Sequence, residues 1–494
     1  MRWVVAVLVV CAIAVSVWQL EAGRAGLEIR SFEIAGGPPA TLTLVPGDSA
    51  APVVVVAHGF AGSRQLMEPF VLTLARAGYL VVSFDFLGHG RNPRPMTGDV
   101  TAVEGTTRLM VEEVQAVARA ALAHPRADGR LAYLGHSMAS DIIIRAALEE
   151  PVVQAVVAVS AFSQVVTAER PANLLLVAGA WEGRLTEEAL RILHLTDPGA
   201  GVDVTVGTME AGTARRVTLA PGVEHVGVLY APMALDAAAI WFDTVFGRTG
   251  ATPAQARGGW ILLLLAGVTA LAWPLARALP KGQGAAPGVP RRSFLWAALL
   301  PAVVVPLILA PVETRVLPVL VADYLVLHFA AYGGIVLLIL GRTGRLRGQF
   351  PARVWGWGLA VAAVAIGGFG LVLDSYVANF LPHGGRVAVI AGLALGAVPY
   401  FLSDALLLDA GRASVWRVLV ARGAFLASLI GAVALDFERL MFLLIILPVI
   451  LLFFVIFGTI AGWIGRRTGM AAVAGLGLGL MLAWTLGVTF PLFA

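Results

Sequence analysis

Residues 131–140 read LAYLGHSMAS, and this stretch decides the fold of the first half of the chain. Leu131 to Leu134 is an apolar run of strand length, bounded by a glycine. Gly135 and Ala139 flank Ser137 with small side chains, and SDIIIRAALEE then repeats its apolar residues at helical spacing. A serine held between small residues at a strand-to-helix turn is lifted clear of its own backbone, where its hydroxyl can react.

The flanking sequence has the same grammar. Val53 to Ala57, Leu80 to Phe84, Val152 to Val159 and Leu174 to Ala178 are further buried-strand candidates. They alternate with helix-like stretches such as Gln65 to Ala77 and Thr106 to Ala123. Near-continuous apolar strands separated by helices predict an α/β domain, a mostly parallel sheet covered on both faces. The stretch Val202 to Leu219 alternates around a glycine-containing turn and predicts a hairpin.

A serine hydroxyl is a weak nucleophile. It needs a base within hydrogen-bond reach, a group holding that base, and donors for the oxyanion. VVVVAHGFAGSR (53–64), DFLGHGRN (85–92) and GHSMA (135–139) stand in an order and spacing that resembles the α/β-hydrolase superfamily over residues 27–247, about half the chain. Ala139 replaces the more usual second glycine of that family. The resemblance implies Ser137 as nucleophile and the backbone N–H groups of Phe60 and Met138 as oxyanion donors. It also implies a structural role for His58, and non-catalytic positions for His89 and His136.

The family order then requires an acid and a histidine after the serine. NLLLVAGAWEGR (173–184) reads as a strand ending in a turn, and Glu182 is the carboxylate there, with Glu187 and Asp197 as alternatives. Glu departs from the more usual Asp. APGVEHVGVLY (220–230) resembles the histidine loop and precedes a last helix, Met233 to Phe246, which makes His225 the expected base. His194, between Leu193 and Leu195, reads as a packed surface histidine. The expected chemistry is attack by Ser137 on an acyl ester, lipid or peptide bond, with no cofactor and no metal. The interval 160–172 is too short for a large cap, which predicts an open site for a sizeable or membrane-embedded substrate.

Composition places this domain on a membrane. The 494 residues are 59% hydrophobic and 13% charged, against about 25% charge in ordinary globular chains. Basic residues are not interleaved with aromatics, so no nucleic-acid role is expected. The single cysteine, Cys11, excludes internal disulfides, and the sequence is silent on oligomeric state. Residues 1–25 hold an apolar run, Trp3 to Leu20, that reads as a signal-anchor or a signal peptide with Gly23-Arg24-Ala25 as a cleavage site. Residues 26–247 form the hydrolase-like domain and 248–259 a linker. Residues 260–494 predict an all-α bundle of about eight transmembrane helices, near 260–277, 294–311, 317–340, 355–373, 387–408, 418–435, 440–464 and 470–491.

Loop charge orients the bundle. With the first segment running outward, Arg277, Lys281, Arg291 and Arg292 share the cytoplasmic side with Arg342, Arg345, Arg347, Arg353, Arg412, Arg417, Arg422, Arg466 and Arg467. The opposite loops carry only Arg315, Arg386 and Arg439. This positive-inside pattern predicts a multi-pass protein of a prokaryotic cytoplasmic membrane with the hydrolase-like domain outside. Within the spans, Asp323, His328 and Asp404 form a candidate intramembrane polar site, read either as a proton or substrate path or as interhelical hydrogen-bond glue. Arg422 reads as snorkelling from a span end. Two rival functions follow: a transporter or channel whose hydrolase domain regulates or feeds it, and an inactive hydrolase fold used for assembly.

Overall fold

The structure, a computed structural model, describes residues 2–97, 103–250, 253–282 and 288–494. Residues 251 and 252 of the expected linker lie outside the described residues. The chain packs into two compact units, one built mainly from Val15–Leu263 and the other mainly from Leu264–Val372 and Phe380–Phe490.

The first unit is built on an eight-stranded sheet: β1 Glu28–Phe32, β2 Ala40–Leu44, β3 Ala51–Ala57, β4 Leu80–Phe84, β5 Ala127–His136, β6 Val153–Val159, β7 Leu174–Gly179 and β8 Arg215–Ala220. Their order is β1-β2-β4-β3-β5-β6-β7-β8. β1 and β2 pair antiparallel, β2 pairs antiparallel with β4, and every later pairing is parallel. Every residue of β3, β4 and β7 is buried, because helices cover both faces. β1 and β2 are short and were not anticipated. β1 is largely exposed, so it lacks the apolar run that marks the central strands.

Helices α1 Arg2–Ala22, α2 Glu68–Arg76, α3 Arg108–Leu122, α4 Met138–Glu149, α5 Gly183–Leu193 and α6 Pro232–Val245 occupy this half of the sequence. One core layer joins α3 and α4 to the sheet through Val114, Val117, Ile143 and Tyr133. The other joins α2 and α6 to the opposite face through Phe70, Leu74, Leu235 and Phe242. Glu68 of α2 accepts from Arg24 at 2.6 Å and pairs with Arg257, so the chain entering and leaving the domain is tied to one carboxylate. Two segments distant in sequence pack into this unit, Leu373–Asn379 and Pro491–Ala494. Leu492 donates its N–H to Gly88 O at 2.9 Å and accepts from Met96 N at 2.8 Å.

The expected hairpin over Val202 to Leu219 is not formed as two strands. β8 uses one edge for β7, and its other edge carries an isolated bridge, Val206 to Arg215, and a hydrogen bond from Asp203 N to Val217 O at 2.8 Å. Asp203 at φ 63° and Gly207 at φ 73° are both left-handed, so the extended backbone is interrupted on each side of the bridge at Val206.

The second unit is all helical. Its long helices are α7 Gly258–Ala276, α8 Arg291–Leu309, α9 Ala322–Arg342, α10 Arg353–Tyr376, α11 Gly384–Leu407, α12 Val415–Leu435, α14 Leu443–Thr468 and α15 Ala471–Thr489, with a single turn, α13 Phe437–Leu440, between two of them. With α1, nine helices among the described residues are long and apolar enough to cross a membrane. α15 is the most buried and packs on α11 at close range, where a Cβ at Gly479 would fall 2.6 Å from Val398 Cα. Small residues are what let helices approach this far. Outward positions expose large apolar side chains, Leu371 at 75% and Leu395 at 72%. Such surfaces suit lipid rather than water, so the unit is compatible with a multi-pass membrane protein.

Candidate active site

The carboxyl ends of β3, β5, β6, β7 and β8 lie along one edge of the sheet, and the loops leaving them build the site. Ser137 stands between β5 and α4 with φ 55° and ψ −119°, a conformation that costs a non-glycine residue about 1–3 kcal/mol. Small neighbours make that turn feasible. A Cβ at Gly135 would lie 2.8 Å from the Ala139 carbonyl oxygen, and Ala139 is itself fully buried. Ala at 139 therefore satisfies the steric demand that its family counterpart meets with glycine.

His225 comes from the loop between β8 and α6. Its Nε2 lies 2.8 Å from Ser137 Oγ and its Nδ1 lies 2.6 Å from Glu182 Oε1. In the neutral tautomer, Nδ1–H donates to the carboxylate and Nε2 accepts from the serine hydroxyl. Glu182 precedes α5 and is almost fully buried. Its other oxygen accepts from Gly179 N at 2.6 Å and from Ser160 Oγ at 2.8 Å. Burial pushes the Glu182 pKa upward, but the hydrogen bonds from His225, Gly179 and Ser160 outweigh it and hold the carboxylate below its ordinary value.

Sequence reasoning missed Ser160. It follows β6 directly and, like Ser137, has a left-handed backbone, φ 53°. Only the position of the neighbouring strand brings its hydroxyl to Glu182. The alternative acids stand elsewhere. Glu187 is exposed on α5, and Asp197 accepts Gly199 N at 2.9 Å in an exposed turn.

The other histidines have structural partners. His58 is fully buried; its Nδ1–H donates to Gly59 O at 2.8 Å and its Nε2 accepts Phe86 N at 3.1 Å. Burial lowers its pKa. His136 donates from Nε2 to the His225 carbonyl at 2.9 Å, tying the turn that carries the nucleophile to the histidine loop. Burial, reinforced by the nearby His225, lowers His136 to about 3. His194 caps α5 and donates to Ala200 O at 3.0 Å. His89 is buried beneath Phe60, with ring centroids 5.7 Å apart.

Met138 is the first residue of α4, where backbone N–H groups have no intrahelical acceptor. Phe60 follows Gly59, whose backbone approaches Ser137 so closely that a Cβ there would fall 3.0 Å from Ser137 Cβ. The loop bearing Phe60 is pinned from behind. Buried Asp85 accepts Arg64 N at 2.8 Å, Arg64 Nη1 at 3.0 Å and Arg91 N at 3.1 Å. Asn379, nearly fully buried, donates its N–H to Ser63 Oγ at 2.9 Å and its side-chain amide to Gly90 O at 3.3 Å. Its Oδ1 accepts Arg91 Nε at 3.2 Å. No local pattern could have linked residue 379 to residue 63.

Residues 48–196 match the family model of serine aminopeptidase, S33. That match spans β3 to β7, the turn of Ser137, the loop of Phe60 and Glu182, and ends before β8 and His225. These residues match an α/β-hydrolase family model, and the mostly parallel sheet they lie on, covered by helices on both faces, has that fold. Solved structures similar to the hydrolase half include TT1662 from Thermus thermophilus, at 15% identity and TM-score 0.34, covering 45% of this chain and 99% of that one. Dienelactone hydrolase from Anabaena variabilis matches at 19% identity and TM-score 0.32, over 45% of this chain and 96% of that one. A predicted CIB-like hydrolase from Thermoplasma acidophilum matches at 16% identity and TM-score 0.33, over 45% and 97%. No curated protein matches the chain.

The expected intramembrane site is dispersed. Asp323 accepts Val316 N at 2.7 Å and Leu317 N at 3.1 Å, closing the loop before α9. His328 is buried between Tyr324 Oη at 3.3 Å and Ser428 Oγ at 3.1 Å. Asp404 pairs with Arg422 at 3.0 Å. Among the described residues no hydrogen bond joins one of the three to another; His328 and Asp404 bond to a neighbouring helix, whereas Asp323 bonds the loop before its own helix. Arg422 corrects its expected snorkelling: it turns inward to Asp404 because a buried carboxylate needs a counter-charge more than the guanidinium needs water. Among the described residues no group of three or more His, Cys, Asp or Glu is arranged for a metal ion.

Proposed function

We propose that the protein is a membrane-anchored serine hydrolase that cleaves an ester, amide or peptide bond through an acyl-enzyme on Ser137. The observation that carries this reading is the unbroken chain from Ser137 Oγ through the His225 ring to Glu182. His225 Nε2 takes the hydroxyl proton as Ser137 Oγ attacks the carbonyl carbon. Glu182 stabilises the imidazolium and fixes its tautomer. The backbone N–H groups of Phe60 and Met138 receive the oxyanion, and the imidazolium returns the proton to the leaving group. Water, deprotonated by the same ring, then releases the acyl group.

The loop charges support an extracytoplasmic domain on a multi-pass protein of the prokaryotic cytoplasmic membrane. A fluorophosphonate probe should label the full-length protein and leave Ser137→Ala unlabelled, with ester turnover falling by roughly 10³-fold or more. Persistent labelling of Ser137→Ala would rule the assignment out. Protease protection in spheroplasts reads the orientation: an external domain is digested without lysis.

A further inference from the structure

A cavity of about 1280 Å³ lies along one face of α6, and the proposed chemistry does not use it. Met233, Ala237 and Ile240 line it at helical spacing, and Gly259 and Leu262 of the first turns of α7 line it as well. Ile240 is 64% and Leu262 69% exposed, large apolar surface with no protein partner to cover it. Ordinary small-molecule pockets measure about 300–1,000 Å³, so there is room for a long flexible ligand.

Three relationships identify the occupant. The walls include Val226 and Gly227, which follow His225 directly, and Leu66, which follows the loop of Phe60. The cavity therefore borders both loops that flank Ser137. Val377 and the first turns of α7 also line it. These residues stand at the ends of α10 and α7, two helices apolar and long enough to cross a membrane. The apolar lining is thus continuous in sequence with two apolar helices of membrane-spanning length. Polar lining is also present: Asp203 Oδ1 accepts Thr218 Oγ1 at 2.9 Å and Arg216 Nη2 at 3.3 Å, Glu224 accepts Val226 N at 2.8 Å and Gly227 N at 2.9 Å, and Asp236 stands between Met233 and Ala237 on α6.

We propose that this cavity holds the acyl chain of a lipid ester, with the ester group directed to Ser137. The proposal rests on the serine-hydrolase reading and narrows its substrate class to long-chain acyl lipids. Covering the exposed Ile240 and Leu262 with hydrocarbon is the driving force, so affinity rises with chain length.

The test uses the full-length protein in nanodiscs with p-nitrophenyl acetate, octanoate and palmitate. Ala237→Trp on α6 and Gly259→Phe on α7 each add bulk to the lining, and a Cβ at Gly259 meets nothing within 4 Å. The palmitate-to-acetate ratio of kcat/KM should fall about tenfold or more in both variants. A ratio that stays at the wild-type value, or a preference for hydrophobic peptides that the same variants abolish, overturns the proposal while the hydrolase reading stands. A photoactivatable diazirine palmitate reads occupancy independently of turnover. Adducts on α6 and the start of α7, reduced in Ala237→Trp, are expected, and their absence overturns the acyl site. Loss of fluorophosphonate labelling at Ser137 in wild type would instead remove the hydrolase reading, with the cross-link still reporting on the cavity. A lipid bound there but never cleaved cross-links without any chain-length effect on kcat/KM, and that outcome overturns the substrate assignment.

Discussion

Ser160 Oγ donates to Glu182 Oε2 at 2.8 Å and so leaves Oε1 free to face His225 at 2.6 Å. The two carboxylate oxygens thus have separate duties, one anchoring and one orienting the base. Ser160→Ala removes a hydrogen bond to a charged acceptor, a bond of about 1.5–3 kcal/mol. Turnover of a reactive ester should fall about tenfold, with KM nearly unchanged, because the loss is felt as the imidazolium forms. Steady-state kinetics on the full-length protein measures this.

Glu182→Gln keeps the shape of that anchor but removes its charge. We expect kcat to fall by about 10²- to 10⁴-fold, since an amide neither stabilises the imidazolium nor fixes the productive tautomer. Stability adds a pH signature. The folded-state pKa of Glu182 is lowered, so its contribution is complete above the unfolded carboxylate value, about 4.3, and is lost as pH falls through the folded value. The melting-temperature gap between wild type and Glu182→Gln should accordingly shrink on acidification below about pH 4. Thermal scans across that window would show it.

Asn379 reaches the oxyanion loop from beyond the end of α10, clasping Gly90 and Arg91 with its side chain. Asn379→Ala keeps the backbone bond to Ser63 and loosens the rest. Misplacing an oxyanion donor by a fraction of an ångström is felt in the transition state more than in substrate binding. A fall in kcat of about three- to tenfold is expected, with a smaller change in KM. Slower fluorophosphonate labelling without loss of thermal stability would separate this from unfolding.

Asp404 and Arg422 are a buried pair, 7% and 14% exposed at the side chain. Removing one partner leaves an uncompensated charge, at about 3–5 kcal/mol. Asp404→Asn should therefore lower the melting temperature in detergent markedly, and Asp404→Asn with Arg422→Gln should recover much of it. If the pair instead formed part of a proton path, Asp404→Asn would abolish proton flux in vesicles at unchanged stability.

Much of this protein is legible along the chain because its signals are local. The apolar strands, the small residues around Ser137, and the order of serine, glutamate and histidine need only neighbouring residues and one topological rule. Span positions follow likewise from unbroken apolar length, and the helices agree with them to within a few residues apart from the start of α9, where residues 317–321 form a turn. Long-range geometry decided the remainder. Ser160 matters only because β6 lies between β5 and β7, and Asn379 only because α10 ends beside the 63–65 loop. The hairpin shortened to a bridge because left-handed residues stand on both sides of it, and Arg422 turned inward to a carboxylate on another helix. Periodicity records which face of an element is apolar. It carries no information about which distant polar group will meet it, and it is this pairing that sets the anchor of Glu182, the clasp on the oxyanion loop and the wall of the apolar cavity.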